Sequence, residues 1–324
     1  MSEYAADLAD VRAAAERLTG VAHRTPVATC GAIDARAGRR VFFKCEHLQK
    51  VGAFKFRGAW NAVARLSAEV ARRGVVTHSS GNHGQALALA ASMRGIPAHV
   101  VVPSDATRSK KEAIRGYGAR LVECEPTLEA RLATAERVMA ETGSTMIPPY
   151  DHPDVIAGQG TAALELLEEV PDLDAVVAPI GGGGLISGTA LALREAAPRV
   201  RVFGAEPTGA DDAAQSHASG RLVPPVPPRT IADGLLAGLG RHTWPPIRDC
   251  VEAVITVEDA DTIAAMRLCW ERAKLLVEPS AAVPLAVVLS ERFRALDGIE
   301  RVGVILTGGN LDLERLPWMK DTST

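Results

Sequence analysis

The sequence predicts an α/β protein of two doubly wound, mostly parallel sheet domains, the smaller inserted in the larger. Three observations carry that expectation. Short runs of aliphatic and β-branched residues alternate with stretches of helical periodicity along nearly the whole chain. The runs are apolar on both faces, as strands covered by helices on both sides must be. Three of them end in turns of glycine and small polar residues, at 79–84, 181–184 and 307–310. A chain of 324 residues is also long enough for two cores.

Residues 7–18 read as a first helix and 40–45 as a strand. Phe56, Ala59, Trp60, Val63, Leu66 and Val70 recur at helical spacing, so one continuous helix is expected over 56–70. A β-branched run at 74–78 leads through a polar, glycine-containing turn into an apolar helix over 86–93. Strands at 98–102 and 120–124 alternate with helices at 107–116 and 128–139, the latter showing Leu128, Leu132, Ala135 and Met139 on one face. A second set of strands is expected at 175–180, 200–204, 253–257 and 302–306, with helices at 185–196, 260–274 and 281–289. The proline-rich stretch 220–229 reads as a loop. The expected division is a small domain of residues 74–151, set into a large domain made of 1–73 with 152–324.

Composition narrows the function classes. Hydrophobic residues make up 47% of the chain but aromatics only 4%, so the cores must be built of Ala, Val, Leu and Ile. The net charge is −3 and no basic stripe stands out, which argues against nucleic acid as a partner. The neighbouring Lys110 and Lys111 read as a solvated helix face. The apolar runs are too short and interrupted to span a membrane, and the N-terminus lacks the apolar core of a secretory signal. Cys30, Cys45, Cys124, Cys250 and Cys269 are scattered, with no CxxC pair. They read as thiols of a reducing, cytoplasmic compartment and not as a disulfide frame or zinc site.

The three strand ends carry the chemistry. Ligands of parallel sheets bind beyond the carboxyl ends of the strands. The run Gly181, Gly182, Gly183 and Gly184 follows one strand and opens a helix, so its free amides suit a phosphate. Four consecutive glycines cost backbone entropy, which a bound ligand would offset. The run is neither a dinucleotide fingerprint nor a P-loop, because no G-x-G-x-x-G with a downstream acid and no Lys-Ser/Thr pair accompanies it. Lys55 is flanked by Phe54 and Phe56. An apolar pocket lowers a lysine's affinity for its proton and frees the amine to attack a carbonyl. Taken alone, a lysine at a helix start reads more readily as a surface lysine lying along apolar neighbours, and it is the combination with the glycine run and a polar pocket that favours the chemical reading.

Taken together, the stretches 46–58, 77–86, 155–161, 181–184, 230–234 and 278–280 resemble the serine/threonine dehydratase family of pyridoxal-phosphate enzymes. This is the tryptophan-synthase-β-like group of fold type II, and the likeness is strongest to its serine racemase-like branch. The resemblance covers nearly the whole chain. It implies that Lys55 holds pyridoxal 5'-phosphate as a Schiff base and that Phe54 covers one ring face. It gives Asn82 the ring hydroxyl, Gly181 to Gly184 the phosphate, and Thr307 the pyridine nitrogen. A threonine hydroxyl is a neutral partner, so the ring would be a weaker electron sink than one facing an aspartate. The loop of Ser79, Ser80, Gly81, Asn82 and His83 would receive the substrate carboxylate.

The implied activity is β-elimination of L-serine, L-threonine or a related hydroxy-amino acid to a 2-oxo acid and ammonia. Two alternatives accompany it: serine racemase and 3-hydroxyaspartate dehydratase. Ser80 permits racemisation, because it matches the group that serves the face of Cα opposite the lysine. Arg131 matches a position near the substrate pocket and could meet a second carboxylate; it also reads as an exposed helix arginine. Ala237 replaces a serine found in racemases, a departure at the distal pocket. Glu206, the carbonyl of Ala210 and Asp212 match a cation site suited to Mg²⁺ or Ca²⁺. The resemblance further implies a homodimer and leaves a nucleotide effector open. Only fourteen residues follow Asn310, too few for a regulatory domain after it. Cysteine and cystathionine synthases share the fold and lysine chemistry but differ in the serine and glycine loops, and a threonine synthase would have to handle a substrate phosphate. A sensor that binds cofactor without turnover is the remaining class, and intact Lys55 and Ser80 argue against it.

Overall fold

A computed structural model describes residues 4–319 apart from Val226 and, for Ser109, the backbone alone. Ten strands form two sheets. They are β1 (Val27–Thr29), β2 (Arg40–Lys44), β3 (Val75–His78), β4 (Ala98–Pro103), β5 (Arg120–Cys124), β6 (Thr145–Met146), β7 (Ala175–Pro179), β8 (Arg201–Pro207), β9 (Ala253–Val257) and β10 (Arg301–Ile305). The six-stranded sheet runs β1-β2-β10-β7-β8-β9, and the four-stranded sheet runs β5-β4-β3-β6. Every pairing is parallel except β1 with β2. The α/β class and the two mostly parallel sheets are as the sequence predicts.

The sheets are covered by helices on both faces, which is why their central strands are mostly apolar. β7 is buried at all five positions. The largest core cluster joins Phe43, Val177, Phe203, Val304 and Leu285 between the six-stranded sheet and the helix Pro279–Leu289. The smaller sheet has its own cluster, built on Val75, Val100, Leu87, Ala90 and Ile114.

Several elements differ from expectation. The helix expected over 56–70 is two, Lys55–Arg65 and Ala68–Arg72. Leu66 leaves the helical region, and the Ser67 hydroxyl accepts the Val70 amide to start the second helix. Periodicity alone cannot see that break. The apolar helix starts four residues early, at Asn82, so Asn82-His83-Gly84 form its first turn. The helix at 260–274 is α-helical over Asp259–Leu268 and then opens into a π-turn, Cys269–Ala273. The proline-rich stretch carries no helix or strand on either side of Val226, which lies outside the described residues.

Five helices are not expected from the sequence: Gly31–Ala37, Asp212–Ser219, Trp244–Cys250, Glu291–Arg294 and, above all, Pro153–Glu169. Gly158 and Gly160 look like turn residues, but they allow helices to touch backbone to backbone. A Cβ on Gly158 would stand 2.6 Å from Gly58 Cα, and one on Gly160 would stand 2.6 Å from the Gly188 carbonyl oxygen. That close packing fixes the helix that carries Lys55 against the helix that follows the glycine run.

Candidate active site

Lys55 opens its helix directly after a strained loop. Val51, β-branched and buried, holds φ 58°, a left-handed conformation that costs such a residue energy. Neighbours enforce it: the Asn310 side-chain amide donates to the Val51 carbonyl at 2.7 Å. The Gly309 amide donates to the Gly52 carbonyl and the Phe54 amide to that of Thr307, both at 3.0 Å. Residues 51–54 therefore lie along 307–309, and the end of β10 dictates where Lys55 begins. The Lys55 ammonium donates to the Pro149 carbonyl at 2.7 Å and lies 5.0 Å from the Phe54 ring centroid. Burial pulls its pKa from 10.5 down to about 8, against the opposing pull of Glu278.

Glu278 belongs to one of the motifs that carry the family resemblance, yet the sequence assigns it no role. The structure places it at the centre of the site. Its carboxyl is 3% exposed and pushed up to about 8, first by burial and then by Asp233. The Asn82 amide donates to Glu278 Oε1 at 2.9 Å, and the Asn310 backbone amide donates to Oε2 at 3.1 Å. Asn310 Nδ2 donates to Asn82 Oδ1 at 2.9 Å. Asn82 is thus held by both of its neighbours and keeps one amide hydrogen to give. Gly308 is obligatory here, since a Cβ would stand 2.5 Å from Glu278 Oε1.

The serine loop sits at the carboxyl end of β3. Ser79, Ser80 and Gly81 are half-buried. The Gly81 amide reaches Ser79 Oγ at 3.4 Å, and the Ser80 hydroxyl has no hydrogen-bond partner among the described residues. His83 differs: it is buried, its Nε2 lies 3.0 Å from the Ile147 carbonyl, and Nδ1 has no partner. Burial and the charge of Lys55 push it down to about 3, so the ring is neutral. A neutral ring donates to Ile147 from Nε2 and leaves Nδ1 an acceptor.

The glycine run lies across the site, at the end of β7. Gly183 takes φ 86° as it opens the helix Gly184–Ala196. Gly182 packs face-on to Tyr150, where a Cβ would fall 2.3 Å from the ring. The Gly182 carbonyl accepts from Thr243 at 2.8 Å, whereas the amides of Gly181, Gly182 and Gly183 have no acceptor among the described residues. Free amides at a helix start, with no room for side chains, fit a phosphate group.

The remaining expected residues divide. Glu206, at the end of β8, and Asp212 flank the turn Thr208–Ala210. Both are buried and raised by burial, Glu206 to about 8. Glu206 accepts the Ala213 and Ala214 amides at 3.1 and 2.8 Å. Asp212 Oδ2 is buried without a partner. Among the described residues no three His, Cys, Asp or Glu side chains converge on a metal, so the loop offers two carboxylates plus backbone oxygen. Arg131 donates from Nε to its own helix cap, the Thr127 carbonyl, at 3.3 Å. Its charge reaches His78 and Cys124, which places it beside the carboxyl ends of β3 and β5. Ala237 lies in the turn after the short helix Asp233–Leu235.

Beneath Lys55 lies a charge cluster that the sequence does not announce. Arg57 is fully buried and donates to both oxygens of Glu46 and both of Glu165, all at 2.7 Å. Lys44, also fully buried, pairs with Glu165 at 2.7 Å. Charges inside apolar segments were the available signal. No helix among the described residues is long and apolar enough to cross a membrane.

Comparison with known proteins agrees with this geometry. Residues 18–308 match the family model described as pyridoxal-phosphate dependent enzyme. The chain is 50% identical to serine racemase of Arabidopsis thaliana, over 97% of this chain and 96% of that one. It is also 50% identical to beta-hydroxyaspartate dehydratase of Paracoccus denitrificans, over 95% and 98%. The structure of maize serine racemase superposes with a TM-score of 0.95 at 48% identity, covering 96% of this chain and 95% of that one. The chain therefore belongs to the pyridoxal-phosphate dependent enzyme family, fold type II.

Proposed function

We propose that this pyridoxal-phosphate dependent enzyme removes the α-proton of a small β-hydroxy-amino acid, then either expels the β-hydroxyl to give a 2-oxo acid and ammonia or returns a proton to the opposite face. The observation that carries this reading is the pairing of an amine depressed to about 8, Lys55, with a free hydroxyl, Ser80, in the facing loop. Pyridoxal phosphate, when bound, supplies an electron sink for the charge left at Cα. In this reading the amides of Gly181 to Gly184 hold the phosphate, Thr307 faces the ring nitrogen, and Phe54 covers the ring. Asn82, steadied by Glu278 and Asn310, gives its spare hydrogen to the ring hydroxyl. The Ser79–His83 loop binds the substrate carboxylate. Lys55 moves the proton on one face of Cα and Ser80 on the other.

Elimination needs only the lysine face, whereas racemisation needs both, so both activities should come from one site. Incubation with L-serine, D-serine, L-threonine and both 3-hydroxyaspartate diastereomers tests this, with oxo acid and enantiomers measured in the same sample. Oxo acid together with D-serine from L-serine is expected. Neither product from any of the five would sink the proposal. One observation favours a second substrate: Arg131, with no carboxylate partner among the described residues, stands where the extra carboxylate of 3-hydroxyaspartate could reach it.

We also propose that Glu206, Asp212 and the Ala210 carbonyl hold Mg²⁺ or Ca²⁺. The unpartnered Asp212 oxygen supports that reading. Asp212 also acts electrostatically on Tyr150, which packs on Gly182, so a cation there would brace the glycine run. Exhaustive chelation should lower the melting temperature of the wild type, and added cation should restore it. Glu206→Gln should show neither response. Unchanged melting of the chelated wild type would remove the site.

A further inference from the structure

The segment that follows β6 carries two anchors for the site. The Ile147 carbonyl lies 3.0 Å from His83 Nε2, and the Pro149 carbonyl accepts from the Lys55 ammonium at 2.7 Å. Pro148 and Pro149 make this stretch stiff, because proline fixes its own φ and keeps the residue before it extended. Tyr150 then packs on Gly182 of the glycine run. One short, rigid segment therefore sets the places of the imidazole and the amine together.

Each of the two groups is left incomplete. His83 is 2% exposed, and its Nδ1 has no partner. With Nε2–H engaged by Ile147, Nδ1 can only accept. A buried acceptor without a donor is costly, which calls for a donor. The substrate carboxylate is the wrong partner, since it too accepts; the Ser79–His83 loop offers it hydroxyls and amides instead. Lys55 is the right one. Its ammonium has three hydrogens, and among the described residues only the one given to Pro149 has a partner. Its flexible stem lets the other two turn toward the ring. Burial comes first in holding the ring neutral and the Lys55 charge next, ahead of His78. On Lys55 itself, burial is opposed by Glu278.

We infer that His83 is a positioning residue for the proton transfer, its Nδ1 accepting one hydrogen of the Lys55 ammonium while the Pro149 carbonyl accepts another. The inference rests on the proposed role of Lys55. The C–H bond at Cα breaks, a new N–H bond forms on Nζ, and the electron pair stays behind in the sink that the cofactor supplies when bound. With two hydrogens held by the protein, the third stays aimed at Cα. His83 takes no proton, since its own pKa lies at about 3. The acceptor is in place before the charge appears, so no reorganisation is needed to stabilise it.

Two substitutions separate the ring nitrogens. In His83→Gln the side-chain amide stands at the place of Nε2, so the tie to Ile147 is kept and the acceptor is lost. In His83→Asn the amide oxygen stands near the place of Nδ1, so the acceptor is kept and the tie is lost. With L-serine, His83→Gln should lower kcat about tenfold or more, the scale of one hydrogen bond to a charged group. The isotope effect of α-deuterated substrate should rise and KM should hardly change. His83→Asn should recover much of the loss. Nitrogen NMR of cofactor-free wild type with isotope-labelled histidine gives a second reading. The His83 Nδ1 resonance, identified by its absence from His83→Gln, should move as Lys55 titrates near pH 8. In Lys55→Met it should stay still. That wild-type measurement decides the matter even where a variant loses stability. A stationary Nδ1 signal in the wild type overturns the inference. So does a His83→Gln protein that melts normally and keeps the wild-type kcat and isotope effect. Turnover that survives Lys55→Ala is a separate result and would remove the role of Lys55 itself.

Discussion

The two loops that face each other across the site are built in opposite ways. On the side of the six-stranded sheet, Glu278 and Asn310 form a closed set of hydrogen bonds with Asn82, a strained Val51 is held in place, and Gly182 and Gly308 leave no room for a methyl group. On the side of the four-stranded sheet, Ser79, Ser80 and Gly81 are half-buried, their hydrogen bonds are long (the Gly81 amide to Ser79 Oγ at 3.4 Å and the Gln85 amide to the Gly81 carbonyl at 3.3 Å), and a Cβ on Gly81 would meet nothing within 4 Å. One side is over-determined and suits a permanent cofactor. The other is under-determined and suits a substrate that comes and goes. Substitutions on the first side should therefore damage everything at once, and substitutions on the second should separate activities.

The largest effect belongs to Lys55. Lys55→Ala should reduce turnover of every substrate by roughly 10⁴-fold or more, since the proton-transfer group is lost outright. Single-turnover assays with cofactor supplied in excess check it. A pH signature accompanies it in cofactor-free protein. The Lys55 pKa is about 8 in the folded chain, against 10.5 for an unperturbed lysine such as the unfolded chain presents. Between those values the unfolded chain keeps a proton that the folded chain has released, so stability falls as pH drops through that window and rises with pH across it. Lys55→Met should melt with less of that rise than the wild type. Identical pH dependence of the two proteins would mean that Lys55 is not held in an apolar setting.

Ser80→Ala comes next and should split the reactions. Formation of D-serine from L-serine should fall by on the order of 10²-fold or more, the scale of one positioned proton donor, while pyruvate formation largely survives. Chiral chromatography and a coupled pyruvate assay on one sample check it. A parallel fall in both rates with cofactor retained would deny Ser80 a face-specific role.

The glycines give a direct contrast between the two sides. Gly182→Ala should weaken cofactor affinity about tenfold and cost about 1–3 kcal/mol of stability, because its Cβ would strike the Tyr150 ring. Gly81→Ala has open space and should change stability by no more than about 0.5 kcal/mol. Equal losses at both positions, by cofactor titration and denaturant melts, would erase the asymmetry.

The same asymmetry decides what could be read in the sequence. The strand ends and their glycines are local signals, and all three expected loops border the site. Glu278 and the Arg57 cluster were not legible as functional, because their meaning lies in partners such as Asn82 and Glu165, distant in sequence. The helix Pro153–Glu169 was hidden by Gly158 and Gly160, whose purpose appears only against Gly58 and Gly188. The break at Leu66 was hidden because Ser67 acts as a cap, which apolar periodicity does not report.

Arg131 carries the smallest expected effect and the finest distinction. Its helix lies on the under-determined side, and only its Nε is engaged, with the Thr127 carbonyl at 3.3 Å. Both terminal nitrogens remain free to meet a carboxylate. L-Serine offers nothing for them beyond its α-carboxylate, which the proposed site assigns to the serine loop. 3-Hydroxyaspartate brings a second carboxylate on Cβ. Arg131→Gln should therefore lower kcat/KM for 3-hydroxyaspartate about tenfold, as loss of one partly solvated charge-assisted contact would, and leave L-serine turnover nearly unchanged. The loss should sit in KM if the second carboxylate only binds, and in kcat if it also orients the β-hydroxyl for departure. Raising the ionic strength should shrink the difference between wild type and variant, because a half-exposed guanidinium is screened by salt. A variant that loses serine and 3-hydroxyaspartate activity equally would show that Arg131 supports the strand ends of the small sheet and does not read the substrate.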